Sequence, residues 1–167
     1  MPADAEPAEL EFLVRDVARL MRRRFEQCGQ ELGLSLTRAQ CFVLVHIGRE
    51  PGLSQARLAQ LMDIEPIALV RLIDRLQAET LVERRLDPKD RRVWRLYLTE
   101  TAAPTLERIG RISAAVTQRA LANLPQPEHG ALMGTLRQVK ASLFSDVSLL
   151  PQQTDRSDDG PLALAGG

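Results

Sequence analysis

The 167-residue chain has no net charge, with 22 basic residues set against 22 acidic ones. There is no global basic field, so any positive surface for a nucleic acid has to be local. Cysteine is scarce: Cys28 and Cys41 alone cannot form a disulfide framework. The histidines are His46 and His129, and there is no C-x-x-C pair. Cys41 and His46 do not share a helix face, so no metal site is expected. No apolar run approaches the roughly 18 residues of a membrane span, and no signal peptide is evident, so a cytoplasmic protein without a membrane partner is expected. A Gly-rich phosphate loop, a paired-carboxylate site and a nucleophile triad are all missing, so neither an enzyme nor a cofactor is expected. Lysine is nearly missing, at Lys89 and Lys140 only. The remaining basic residues are arginine, which favours bidentate contacts with phosphate and guanine.

What is present is concentrated between Ser54 and Thr99. Leu58, Leu61 and Met62 make an apolar stripe at helical period, and Ser54 can cap that helix by accepting from the Arg57 amide. Asp63 and Ile64 form a break. Pro66 suits the first turn of a second helix capped at Glu65. That helix buries Leu69, Leu72, Ile73 and Leu76 and turns Ala68, Arg71 and Arg75 outward. A short helix, a tight turn and a longer helix with an arginine-bearing outer face is a helix-turn-helix. Two period-2 stretches follow, Val82, Arg84, Leu86 and Val93, Arg95, Tyr97, joined by the turn chemistry of DPKD. This hairpin carries Arg84, Arg85, Lys89, Arg91, Arg92 and Arg95 against Asp87 and Asp90. An aspartate beside an arginine can aim the guanidinium fork, which suits insertion into a narrow minor groove. The fold class expected is mainly α, a winged helix-turn-helix.

Around this unit the spacing predicts further helices. Leu10, Leu13, Val14, Val17, Leu20, Met21 and Phe25 mark the first, from Glu9 to about Gly33. Thr37 and Gln40 fit a capping box opening a helix that carries Phe42, Val43, Leu44, Val45 and Ile47 and stops at Gly48. Leu53 is expected to form an edge strand against the wing. Thr99 is expected to cap a helix from Glu100 to about Asn123, bent near its start by Pro104. Leu132, Leu136, Val139, Leu143, Phe144 and Val147 mark the last, from about Glu128 to Leu149. The resulting plan is a disordered tail over 1–8, an N-terminal dimerisation helix over 9–33, and a winged DNA-binding domain over 34–99. Dimerisation helices over 100–150 and a disordered tail over 151–167 complete it. The first helix has more apolar face than the small winged core can cover, which points to a homodimer. Two recognition helices roughly 34 Å apart would then read a palindrome in double-stranded DNA.

The run from Leu36 to Ile109 resembles the MarR family of bacterial regulators, and within it the SlyA-like group. LTRAQCFVLVHI is similar to the family's second helix, and DIEPIALVRLIDRLQAETLVERR to its recognition helix and first wing strand. DPKDRRVWRLYLTETA is similar to its wing, with the D-x-R signature at Asp90-Arg91-Arg92. The resemblance implies major-groove contacts from Pro66, Ile67, Ala68 and Arg71. It also implies a minor-groove arginine at Arg92 oriented by Asp90, and phosphate contacts from Arg75 and Arg91, with Arg85 and Lys89 beside them on the wing. Ala68 stands where many members have Ser or Thr, so a thymine methyl contact replaces a polar one. Thr80 stands where the family has Gly, so either the helix ends differently or the site is strained. The family's ligands imply a phenolic or aromatic carboxylate bound near Arg19, Arg22, Cys41 and Val45. The function expected is a ligand-responsive transcriptional repressor. The alternative is a helical protein-interaction or nucleoid-associated module that binds DNA without sequence preference. A redox-sensing regulator working through Cys28, which lies near Arg22, Arg23 and Arg24, is a lesser reading.

Overall fold

The computed structural model of the chain describes residues 7–145. Its elements are α1 (Pro7–Glu31), α2 (Arg38–Arg49), β1 (Leu53–Ser54), α3 (Gln55–Met62), α4 (Pro66–Ala78), β2 (Val82–Leu86), β3 (Trp94–Leu98), α5 (Ala103–Ala120) and α6 (Gln126–Ser145), with a 3-10 turn at Glu100–Ala102 before α5. The chain divides after Asn123 into two compact units.

Local chemistry sets the helix ends. Thr37 and Gln40 close a reciprocal capping box at the start of α2. Ser54 Oγ accepts from the Arg57 N–H at 3.2 Å to start α3. That helix stops at Asp63, whose φ of 51° is left-handed. Pro66 opens α4 at a position whose N–H would be unpaired in any case, so Glu65 caps it without a side-chain bond. At the far end of α4, the Leu81 N–H donates to the Leu76 carbonyl at 2.9 Å and the Thr80 N–H to that of Gln77 at 2.9 Å. This double closure places Thr80 at φ 58°, a region that disfavours a β-branched residue. The helix therefore ends in the left-handed turn that glycine usually supplies, and Thr80 carries the strain. The hydroxyls of Thr99 and Thr101 both donate to the Thr80 carbonyl and hold the turn.

The core lies among α2, α3, α4 and the sheet. Val43, Leu44 and Ile47 of α2, Leu58 of α3, and Leu69, Ile73 and Leu76 of α4 are fully buried with Leu53, Val82 and Leu96 from the strands. The sheet is antiparallel in the order β1-β3-β2. Leu53 pairs with Leu96, and β2 pairs with β3 from Val82–Leu98 to Leu86–Trp94. Gly52 precedes β1 at φ 85°, where a Cβ would come within 3.0 Å of the Tyr97 hydroxyl oxygen, so both sterics and torsion require glycine. Ile109, Ile112 and Val116 of α5 are buried as well. These elements make the mainly α winged-helix architecture.

Phe42 is exposed on the outer face of α2, under the Arg38 guanidinium. In the second strand the buried position is Leu96, on the opposite face from Arg95 and Tyr97. Three expectations about helix starts are corrected. Thr99 makes no side-chain cap, since its hydroxyl is engaged by Thr80. Pro104 does not interrupt a helix: the 3-10 turn precedes it and α5 starts at Ala103, so its missing N–H falls in the free first turn. The first helix begins at Pro7, for the same reason. In the second unit, α6 carries Met133, Leu136, Val139 and Leu143 exposed. Val147, Leu149, residues 1–6 of the expected N-terminal tail and the 151–167 tail lie outside the described residues.

Candidate nucleic-acid interface

The exposed side of α4 is built by its buried one. Leu69, Ile73 and Leu76 anchor the helix to the core, which leaves Pro66, Ile67 and Ala68 in its first turn and Arg71 and Arg75 beyond it in solvent. Ile67 is 63% exposed, a large apolar residue with nothing of its own chain to cover it. The side chains of Arg71 and Arg75 have no ion-pair or hydrogen-bond partner among the described residues.

The hairpin arginines divide into two sets. Arg84 and Arg95 act as ties, from opposite faces of the hairpin. Arg84 donates to Asp74 at 2.6 Å and Gln77 at 2.6 Å on α4, and to Gln55 at 3.0 Å on α3. One guanidinium therefore links α4, α3 and β2. Arg95 donates to Asp87 at 2.6 Å and to the Gly52 carbonyl at 3.2 Å. Arg85 lies between the sets: it pairs with Glu83 and its guanidinium stands 4.4 Å above the Tyr97 ring.

Lys89, Arg91 and Arg92 occupy the loop at the wing tip. Arg92 Nε is 3.3 Å from Asp90 Oδ1, which also accepts the Arg92 backbone N–H at 3.0 Å. The carboxylate thus orients a side chain that is itself 92% exposed. The loop is shaped by Asp87, which is nearly buried and accepts the backbone N–H groups of Lys89 at 2.7 Å and Asp90 at 3.2 Å. The Lys89 N–H and then the Arg95 side chain hold the Asp87 carboxyl below its ordinary value, against the opposing effect of burial.

The local bond of the D-P turn is legible in sequence, whereas the Arg84 tie is not. Its partners lie 29, 7 and 10 residues away, and only the fold brings them together.

The four residues expected to bind a ligand lie on α1 and α2. Arg19 is on the exposed face of α1, paired with Asp16 at 3.0 Å. Arg22 is exposed on α1, one turn further on, and Val45 is half-buried on α2. Cys41 is 2% exposed within the core, and burial pushes its thiol up to about 11, so it stays protonated at neutral pH. A cleft of about 320 Å³ opens between the end of α1 and the start of α2, lined among others by Phe25, Glu26, Gln30 and Arg38. The Arg38 guanidinium stands 5.8 Å from the Phe25 ring and 4.9 Å from that of Phe42. Burial first, and the nearby Arg22 charge second, lower its pKa, against the opposing effect of Glu26. The i, i+4 spacing of Arg38 and Phe42 was the available sequence signal for this arrangement.

Among the described residues no group of three or more His, Cys, Asp or Glu is placed to hold a metal ion, and no helix is long and apolar enough to cross a membrane. Residues 34–93 match the model of the MarR family. A Thauera aromatica protein described as a transcriptional regulatory protein for the hcr operon is 33% identical over 93 residues, 56% of this chain and 56% of its own length; the chain thus spans about half of that relative. The Bacillus subtilis HTH-type transcriptional repressor MdtR is 29% identical over 121 residues, 70% of this chain and 78% of that protein. The crystal structure of a single-residue mutant of Escherichia coli MarR complexed with operator DNA superposes with a TM-score of 0.67 at 27% identity, covering 78% of this chain and 92% of that one.

Proposed function

We propose that this chain, which belongs to the MarR family of DNA-binding transcriptional regulators, works as a cytoplasmic homodimer that grips a palindromic operator and represses by occupying a promoter. The observation that carries the reading is the pairing, across one core, of an open recognition-helix face with a cationic wing tip whose Arg92 is aimed by Asp90. Pro66, Ile67, Ala68 and Arg71 meet base edges in the major groove, with the Ala68 methyl placed for thymine. Arg92 enters the minor groove, and Arg75, Arg91 and Lys89 neutralise phosphate. Arg85 keeps Glu83 and Tyr97 and adds to the field only. The wing and second-helix motifs favour the SlyA-like group.

The dimer is supported by α1. Leu10, Leu13, Val14, Val17 and Leu20 are each more than half exposed, an apolar stripe that water would not leave uncovered. A second copy covers it and sets the spacing of two recognition helices. A small aromatic acid modulates that spacing by preferring one arrangement of the two chains over the other. Arg38 between its two rings, with Arg22 nearby, suits such a ligand.

The test is a salt-dependent titration of the full chain against its own promoter duplex and a scrambled duplex. Tight binding to the first alone, steeply weakened by salt, is expected. An Arg71→Ala/Arg92→Ala double variant should lose that binding and remain a dimer by sedimentation. Equal weak binding to both duplexes would replace the reading with a nucleoid-type or protein-interaction role, and a monomer in solution would remove the palindrome.

A further inference from the structure

Leu86 and Trp94 form the last cross-strand pair before the wing loop. Directly opposed residues share a face of the sheet. Val82–Leu98, Arg84–Leu96 and Leu86–Trp94 therefore lie on one side, with Glu83–Tyr97 and Arg85–Arg95 on the other. The first side faces the helices: Val82 and Leu96 are buried, and Arg84 reaches α4 and α3. Leu86 and Trp94 continue this side beyond the end of the core, where they are 48% and 44% exposed. They project from the same side of the hairpin as the recognition helix. The indole N–H has no partner among the described residues.

An exposed tryptophan backed by an exposed leucine is an apolar patch with one polar handle, suited to a boundary that is apolar on one side and wet on the other. The loop joining the two residues holds Lys89, Arg91 and Arg92. A second copy of the same patch would bring these like charges together, which is repulsive. A DNA backbone has the opposite character: acceptor-only phosphates alternate with apolar deoxyribose faces, and an indole N–H is a donor only.

We propose that Trp94, supported by Leu86, is a further DNA-contacting residue, its ring packed on deoxyribose beside the groove that Arg92 enters and its N–H donating to a phosphate oxygen. The inference rests on the DNA-binding reading above and extends the interface to a neutral residue outside the D-x-R signature.

Trp94 is the sole tryptophan, so emission reports this site alone. The own-promoter duplex is titrated into the full chain while emission and complex formation are followed together. Emission should change in step with binding and saturate at the same stoichiometry. Trp94→Ala should weaken specific binding about tenfold with the salt slope unchanged, because no charge is removed, whereas Arg92→Ala, which removes one cation from each protomer, should lower the slope by about two per bound dimer. Trp94→Phe keeps the ring and loses the donor, so its loss should be smaller, about threefold. The thermal midpoint of Trp94→Phe should match the native one, and that of Trp94→Ala should fall by only a few degrees, about what losing one cross-strand pair with Leu86 costs. A native chain that binds the duplex with unchanged emission, or a Trp94→Ala variant that binds within about twofold of native, overturns the proposal and leaves the DNA-binding reading standing. No specific binding by the native chain removes both. An emission change that follows protein concentration without duplex identifies a second copy as the occupant and overturns the proposal.

Discussion

In α2, Val43, Leu44 and Ile47 are fully buried, while in α1 Leu10, Leu13, Val14, Val17 and Leu20 each keep more than half of their surface in solvent. Both helices follow the same apolar period of an α-helix. The winged unit closes its core with its own helices and strands, so the stripe of α2 meets α4, α5 and β3. Only the last turns of α1 find such neighbours: Phe25 packs against the core and Cys28 is half-buried. An apolar period says that a face is to be covered and is silent on what covers it.

Substitutions on these two helical faces should diverge most. Ile73→Ala opens a cavity in a site with no exposure, and should cost about 3–4 kcal/mol in denaturant unfolding. Val17→Asp changes a half-exposed site outside the core, so its helicity should be native. Its cost should appear instead as conversion of dimer to monomer and as a melting point that no longer depends on protein concentration. A Val17→Asp chain that stays dimeric, or an Ile73→Ala chain of native stability, would erase the distinction between the two faces.

A more modest contrast of the same kind lies within the hairpin. Arg84→Ala unties α3, α4 and β2 and leaves Asp74 without its cation. Asp74 is partly exposed, so the loss should be about 1–2 kcal/mol by chemical denaturation. Arg91→Ala at the tip should stay within about 0.5 kcal/mol of native. Equal stability of the two variants would show that the inner arginine is no tie.

The effect of pH should be slighter still. The folded carboxyl of Asp87 titrates below its unfolded value of about 3.9. Its contribution is therefore fully present above that value and is lost as pH falls through the folded pKa. Asp87→Asn should shallow the acid limb of the melting-point profile below about pH 4 and leave its shape near neutral pH unchanged, apart from a constant offset. An identical acid limb in both chains would remove Asp87 from the wing's support.

Much of the winged unit is legible along the chain because its signals are local. Ser54 and Thr37 cap the helices that follow them, Pro66 opens α4, and DPKD turns the hairpin, each within a few residues. Misreadings arise where two local options are close in energy. The residues ahead of Pro104 choose a 3-10 turn over α-helix. The candidate site was legible in its residue types and not in their division of labour. Arg84, Arg91, Arg92 and Arg95 are chemically identical, and the partners that hold Arg84 come from other elements.

The helix ends, the winged helix-turn-helix order and the presence of a cationic wing follow from the amino-acid order alone, because caps, periods and turns act over a few residues. Which arginines are ties and which are free was settled by the assembled fold. So were the core position of Cys41, the left-handed backbone of Thr80 under two threonine hydroxyls, and the extension of Leu86 and Trp94 past the end of the core. These outcomes depend on which side chains meet across elements distant in the chain, and burial and hydrogen bonding are decided only when they do.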